Sequence, residues 1–242
     1  SNQHFERNNL GDLQTDPNPI KYAPQLFFFD FNPVLGGPIK ANKLWYFGSV
    51  SGNRSNSQQL DIYFKPNEPS TPPECRNRSA DNLCLAYTGA VLNWSETVRV
   101  THQATSKHKF RYSFDNTKVN NLYGNYVTSG AKASPEASWQ LPLFPTWLAQ
   151  VKYTAPLTNR ILLEGGYSYQ RGDFRVNYQP ANPTNRTSRW DLLRGFIEDD
   201  VYFVYDNHER KQEFKGSISY VTGSHSIKAG GENRWANAIQ SN

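Results

Sequence analysis

At 242 residues the chain is long enough for one large β domain or for a piece of a larger one. A mean hydropathy of −0.74, with 37% hydrophobic residues and no apolar run of about 18, excludes helical membrane spans. The net charge of +5 comes from Lys and Arg dispersed along alternating stretches and not gathered into a basic block, which argues against nucleic acid as a partner.

Residues 1 to 25 are polar and rich in Pro and Asn, and read as a loop or linker; no apolar core follows Ser1, so an export signal is expected outside this sequence. Residues 26 to 242 read as one β unit. Its first hairpin runs from Leu26 to Ile39, turns at Lys40 to Lys43 and returns through Leu44 to Val50. Residues 51 to 96 form the longest irregular stretch, with a short strand at Leu60 to Phe64. A second hairpin spans Thr97 to Phe114 around Ser106-Lys107-His108-Lys109, and a third spans Thr146 to Tyr169 around Ala155 to Asn159. A fourth spans Phe214 to Trp235 around Thr222-Gly223-Ser224-His225. Long connections are expected at 116 to 145 and 170 to 197, with a strand at Ile197 to Asp206.

The arms alternate with period two, so each has an apolar and a polar face. Phe110, Tyr112 and Phe114 oppose Arg111, Ser113 and Asp115; Trp147, Ala149, Val151 and Tyr153 oppose Leu148, Gln150, Lys152 and Thr154. Phe214, Ile218, Tyr220 and Ile227 oppose Lys215, Ser217, Ser219 and Lys228. Periodicity alone suits a soluble β-sandwich equally well. Two features favour a transmembrane β-barrel: arms of about ten residues, the length a tilted strand needs to cross the hydrocarbon layer, and an apolar face rich in aromatic residues, drawn from 14 Tyr, 14 Phe and 6 Trp. The expected fold class is therefore all-β: an antiparallel up-and-down transmembrane barrel, present in part as roughly eight strands. Short turns near residues 41, 107, 157 and 223 would lie at one end, on the periplasmic side, and long extracellular loops at the other.

Local chemistry explains the turns. Gly36 and Gly37 free the backbone for a bend, Pro38 belongs where no ladder N–H is needed, and Gly223 is able to take φ > 0 in a tight turn. Catalytic and metal-binding candidates are poor. The five histidines are scattered, no HExxH, CxxC, GxSxG or phosphate-binding loop is present, and no enzyme activity or cofactor is expected. Glu198, Asp199, Asp200 and Asp206 lack the spacing of a known cation loop, so a solvated strand end is the preferred reading over a hard-cation site. The four N-x-S/T sequons, at Asn53, Asn77, Asn93 and Asn185, fit chance in so Asn-rich a chain. Cys75 and Cys84, the sole cysteines, lie nine apart in one loop; a disulfide is preferred, ahead of free thiols and a metal site.

The string Gly36-Gly37-Pro38-Ile39-Lys40-Ala41-Asn42-Lys43-Leu44-Trp45-Tyr46-Phe47-Gly48 resembles the GGPI hairpin of TonB-dependent outer-membrane receptors, especially the Oar-like group with a carboxypeptidase-regulatory-like domain. Three further stretches resemble that group's motifs in the same order. They are His102 to Phe110, including Lys107-His108, then Leu157 to Gly166, including Asn159-Arg160, and Ser219 to Gly230, including Thr222-Gly223-Ser224-His225. The resemblance covers Asp30 to about Trp235. It implies a location in the cell outer membrane and a receptor or transporter whose extracellular loops capture a ligand, with a plug in the lumen that TonB moves. Outer-membrane lipid and lipopolysaccharide would be its surroundings, and lipopolysaccharide would also suit the dispersed basic residues. The full barrel of that family has more strands, so this chain is expected to be an internal barrel fragment or a truncated reading frame, not transport-competent alone. The alternative function is a soluble secreted β-domain that binds carbohydrate or protein through its long loops; it would bury the aromatic face and show the charged one to water.

Overall fold

A computed structural model describes residues 25–64, 71, 73–76, 84–87, 91–124, 132–179, 187–193, 195–201 and 203–241. The expected N-terminal linker lies outside these residues, apart from Gln25. Among them regular structure is strand, apart from 3₁₀ turns at Pro73–Cys75 and Pro135–Ala137. The strands are β1 Gln25–Phe31, β2 Val34–Lys40, β3 Leu44–Phe64, β4 Cys84–Tyr87, β5 Val91–Gln103, β6 Lys109–Gly124, β7 Lys132–Ala133, β8 Trp139–Pro156, β9 Ile161–Val176, β10 Arg189–Asp191, β11 Phe196–Glu198, β12 Tyr205–Thr222 and β13 His225–Ser241.

The wall of the sheet follows the order β3-β5-β6-β8-β9-β12-β13, every neighbour antiparallel. β1 and β2 both pair with β3 on its free side, β1 against Gly52 to Ser57 and β2 against Leu44 to Ser49. They form one strand position interrupted at Asn32-Pro33, where the Pro33 carbonyl still accepts the Val50 N–H at 3.1 Å. Counting β1 and β2 together, the wall has eight positions, an up-and-down arrangement that does not close on itself. A small sheet of β10, β11 and β7 joins β3 through the parallel pair Ile62 and Ala133.

All four short turns lie at the same edge of this wall. Gln103 N donates to Lys43 O at 2.7 Å, linking the first turn to the second; Lys107 Nζ donates to Leu157 O at 3.0 Å, linking the second to the third; Val221 N donates to Arg160 O at 2.8 Å, linking the third to the fourth. Each turn has its own local cause. Asn42 takes the left-handed conformation, φ 58°, which Asn tolerates better than most residues. Thr105 Oγ1 accepts the Lys107 and His108 N–H groups, and Thr158 Oγ1 accepts those of Arg160 and Ile161, so the two middle turns are built alike. Gly223, φ 50°, occupies the first position of the two-residue loop between Thr222 and His225.

Several sequence expectations need correction. The strands are longer than ten residues: β3 continues through Ser51 to Phe64, β6 to Gly124, β8 starts at Trp139 and β9 reaches Val176. The additions to β3 and β6 are rich in Asn, Ser and Gln, yet backbone pairing of Gly52 to Ser55 with β1 and β5, and of Asp115 to Val119 with β5 and β8, satisfies their N–H and C=O groups. The turn expected at Ser106 to Lys109 is centred on Ala104 to His108, with Lys109 already in β6. The strand expected at Ile197 to Asp206 is two pieces, because Asp199 takes φ 74° and ends β11. Gly36 serves close approach and not a bend: a Cβ there would sit 3.0 Å from the Tyr46 carbonyl oxygen. Pro38 lies inside β2, but on the sheet edge, where its missing N–H breaks no ladder.

Candidate functional site

Register decides which side chains share a face. Tyr46, Val100, Tyr112, Val151, Tyr167 and Phe214 form one continuous cross-strand row from β3 to β12, and Val98, Phe114, Ala149 and Tyr169 form the next. Rings touch along it: Phe110 and Tyr153 at 5.0 Å between centroids, Trp147 and Tyr169 at 5.2 Å, Tyr167 and Phe214 at 4.5 Å, Phe214 and Trp235 at 5.7 Å. Such pairs stabilise beyond their area burial by about 0.5–1.5 kcal/mol each. The face nonetheless stays open: Tyr112 is 41% exposed, Phe214 47%, Ile218 47% and Trp235 54%. The described buried hydrophobic clusters are small. They are Ala133 with Ala137 and Ile197, and Trp139 with Val176 and Val201, near the long-connection end.

The aromatic face has an upper limit. From Ile161 to Tyr169 on β9 is eight residue steps, about 26 Å along a strand and about 20 Å in height at a tilt near 40°. The next same-face row is Glu96, Asn116, Trp147, Arg171 and Arg210, so charge appears on this face at one level on three of five strands. Glu96 accepts the Trp94 indole N–H at 2.6 Å and the Asn116 amide at 3.1 Å. One row further, Asp173 accepts from Arg171 Nε at 2.7 Å and Arg210 Nη1 at 2.9 Å and is hydrogen-bonded to His208 Nδ1 at 2.8 Å, with only 7% of its side chain exposed. The lower limit carries a polar pair: His108 Nδ1 and the Tyr153 hydroxyl are hydrogen-bonded at 2.7 Å.

From β5 to β13 the opposite face is largely polar, while on β3 Phe47 joins it beside Arg99. Arg111, Lys152, Gly166, Lys215 and Glu232 form one of its rows, and Arg99, Ser113, Gln150, Ser168, Glu213 and Arg234 the next. A hollow of about 520 Å³ opens on this side between Lys152, Thr154, Glu164, Lys215, Ser217 and Lys228. Its carboxylates are engaged: Glu164 with Lys228 at 2.7 Å and Ser217 at 3.4 Å, Glu232 with Arg234 at 3.5 Å.

The residues singled out in the sequence do not converge on one point. Gly36, Gly37 and Pro38 lie in β2; Lys43, Lys107, His108, Asn159 and Gly223 lie in turns; Thr222 and His225 close the last hairpin. The acidic set is dispersed into ion pairs. Glu198 and Asp199 face Arg189, whose hydrogen bond to Glu198 holds its guanidinium above its usual pKa range, and Asp206 pairs with Arg175. Among the described residues no group of three His, Cys, Asp or Glu is placed to hold a metal. Cys75 is buried and disulfide-bonded. Cys84 begins β4, pairing through its backbone with Phe64, and its side chain lies outside the described residues. What sequence reasoning missed is the charged row that bounds the aromatic face and the clustering of cations on the polar one. Both depend on register between strands far apart in the chain; the local signal is only where alternation changes sign after Tyr169 and Phe114.

The fold resembles that of a solved outer membrane transporter, YddB from Escherichia coli, with a TM-score of 0.60 and 9% identity over 88% of this chain. The match spans 26% of that transporter's chain. No protein-family model matches the sequence, and no curated protein matches it.

Proposed function

We propose that the chain is part of the barrel wall of an outer-membrane receptor or transporter, of the TonB-dependent kind and the Oar-like group that its GGPI and related hairpins resemble. The observation that supports this most is the open aromatic face, about 20 Å tall and bounded by a charged row, close to the roughly 25 Å apolar band of outer-membrane barrels. A soluble domain would cover that face. The likeness to a solved transporter adds the fold. In this reading the four short turns face the periplasm, the long connections face outward, and the polar face lines the lumen against a plug. TonB, outer-membrane lipid and lipopolysaccharide are the partners, and the role is ligand uptake and not catalysis. The loop of Cys75 and Cys84 is extracellular and closed by a disulfide between them.

The test is partition of the chain between buffer and lipid vesicles. Recovery in the membrane fraction with β-structure by circular dichroism supports the assignment. Recovery as a folded species without detergent or lipid sinks it.

A further inference from the structure

The polar face concentrates uncompensated positive charge near the short-turn end. Arg111 on β6 and Lys152 on β8 are direct cross-strand partners, and Lys109 is the next same-face residue on β6. Like charges placed opposite each other on adjacent strands are destabilising. None of the three has an ion-pair partner among the described residues, whereas the nearby carboxylates are committed elsewhere: Glu164 to Lys228, Glu213 to Lys215 and Arg234, Glu232 to Arg234. Lys215 joins them from two strands away. Its stem lies over Gly166, where a Cβ would come 3.4 Å from Lys215 Cγ and Cε, so the absent side chain at Gly166 leaves Lys215 room to lie across β9, the strand between it and Lys152. Lys152 and Lys215 border the 520 Å³ hollow, large enough for a small solute.

We propose that Lys109, Arg111, Lys152 and Lys215 form a binding site for a compact multivalent oxyanion, of phosphate or polycarboxylate chemistry. Three lysines and one guanidinium fork on one face match such a group, because the fork offers two parallel N–H donors and the ammonium groups supply point charge. Rings of Arg and Lys serve anion passage in pores in the same way. An anionic occupant also explains why three cations stand together without counter-charge among the described residues. The site rests on the barrel-wall reading only for its setting, the lumen; the charge cluster exists in either setting.

The experiment uses the whole chain refolded in detergent micelles and titrated calorimetrically with pyrophosphate, citrate and acetate. Saturable binding of pyrophosphate or citrate, with none for acetate, is expected, and the preferred anion tells phosphate from polycarboxylate chemistry. Lys152→Gln and Arg111→Gln should each weaken it about tenfold. Lys118→Gln, the same charge change on the opposite face, should leave it unchanged. Absence of saturable binding overturns the proposal, as does an equal loss in all three variants, which would mean net charge alone. Vesicle partition of the same samples keeps the two ideas separate. A chain that inserts but binds no anion defeats the site and spares the barrel reading, and one that binds anion but does not insert does the reverse.

Discussion

Replacing Ile218 by Lys is the sharpest probe of which face meets lipid. Ile218 pairs with Leu163 on β9 and Ala229 on β13, on the aromatic face, and is 47% exposed. The middle of the band from Ile161 to Tyr169 falls at Gly165, which pairs with Gly216, so Ile218 lies two residues, about 5 Å in height, from the centre. A lysine near the midplane of an outer-membrane barrel costs about 2–4 kcal/mol, falling to about 0–1 at the interfaces. The expected loss for Ile218→Lys is therefore about 2–3 kcal/mol. Ile161, at the lower limit of the band, should lose only about 1 kcal/mol on the same substitution. Ser217→Lys, one residue from Ile218 but on the polar face beside Glu164, should cost less than about 0.5 kcal/mol. Urea titration of folding into lipid vesicles reads all three. Equal losses at Ser217 and Ile218, or a loss at Ile161 as large as at Ile218, would refute the placement of the band.

Three other outcomes are expected. Gly223→Val should destabilise by about 1–3 kcal/mol, since φ 50° is strained for a β-branched residue, and the shift would be read as a lower denaturation midpoint; no shift would mean the turn rearranges freely. Asp173→Asn should cost about 2 kcal/mol because Arg171 and Arg210 lose a nearly buried partner, a figure kept modest since both arginines are partly exposed. Adding Arg210→Gln should recover part of that loss, and purely additive losses would exclude the coupling. Reducing the proposed disulfide of Cys75 and Cys84 should raise protease cleavage between residues 70 and 90 without unfolding the wall; its closure is worth roughly 2–3 kcal/mol, and of its two ends only Cys84 belongs to a strand, the short β4 at the far end of β3. Unchanged cleavage after reduction would remove its role.

The amino-acid sequence by itself determined the face each residue takes within a hairpin and the end at which the tight turns gather. Period-two alternation in Phe110 to Asp115 or Ile218 to Tyr220 is local, and so is the chemistry of Gly223, Asn42, Thr105 and Thr158. The tertiary structure decided what depends on pairing between segments far apart. Strand lengths past the alternating core, as in Ser51 to Phe64, were invisible because polar residues form strand there only when a neighbour satisfies their backbone. The meeting of Arg111 with Lys152 was invisible for a related reason. A long connection joins β6 to β8, so counting from a shared turn cannot set their register; it is set by the alignment of the turns at 104–108 and 157–160 with each other, a contact of Lys107 with the Leu157 carbonyl that only the folded wall provides.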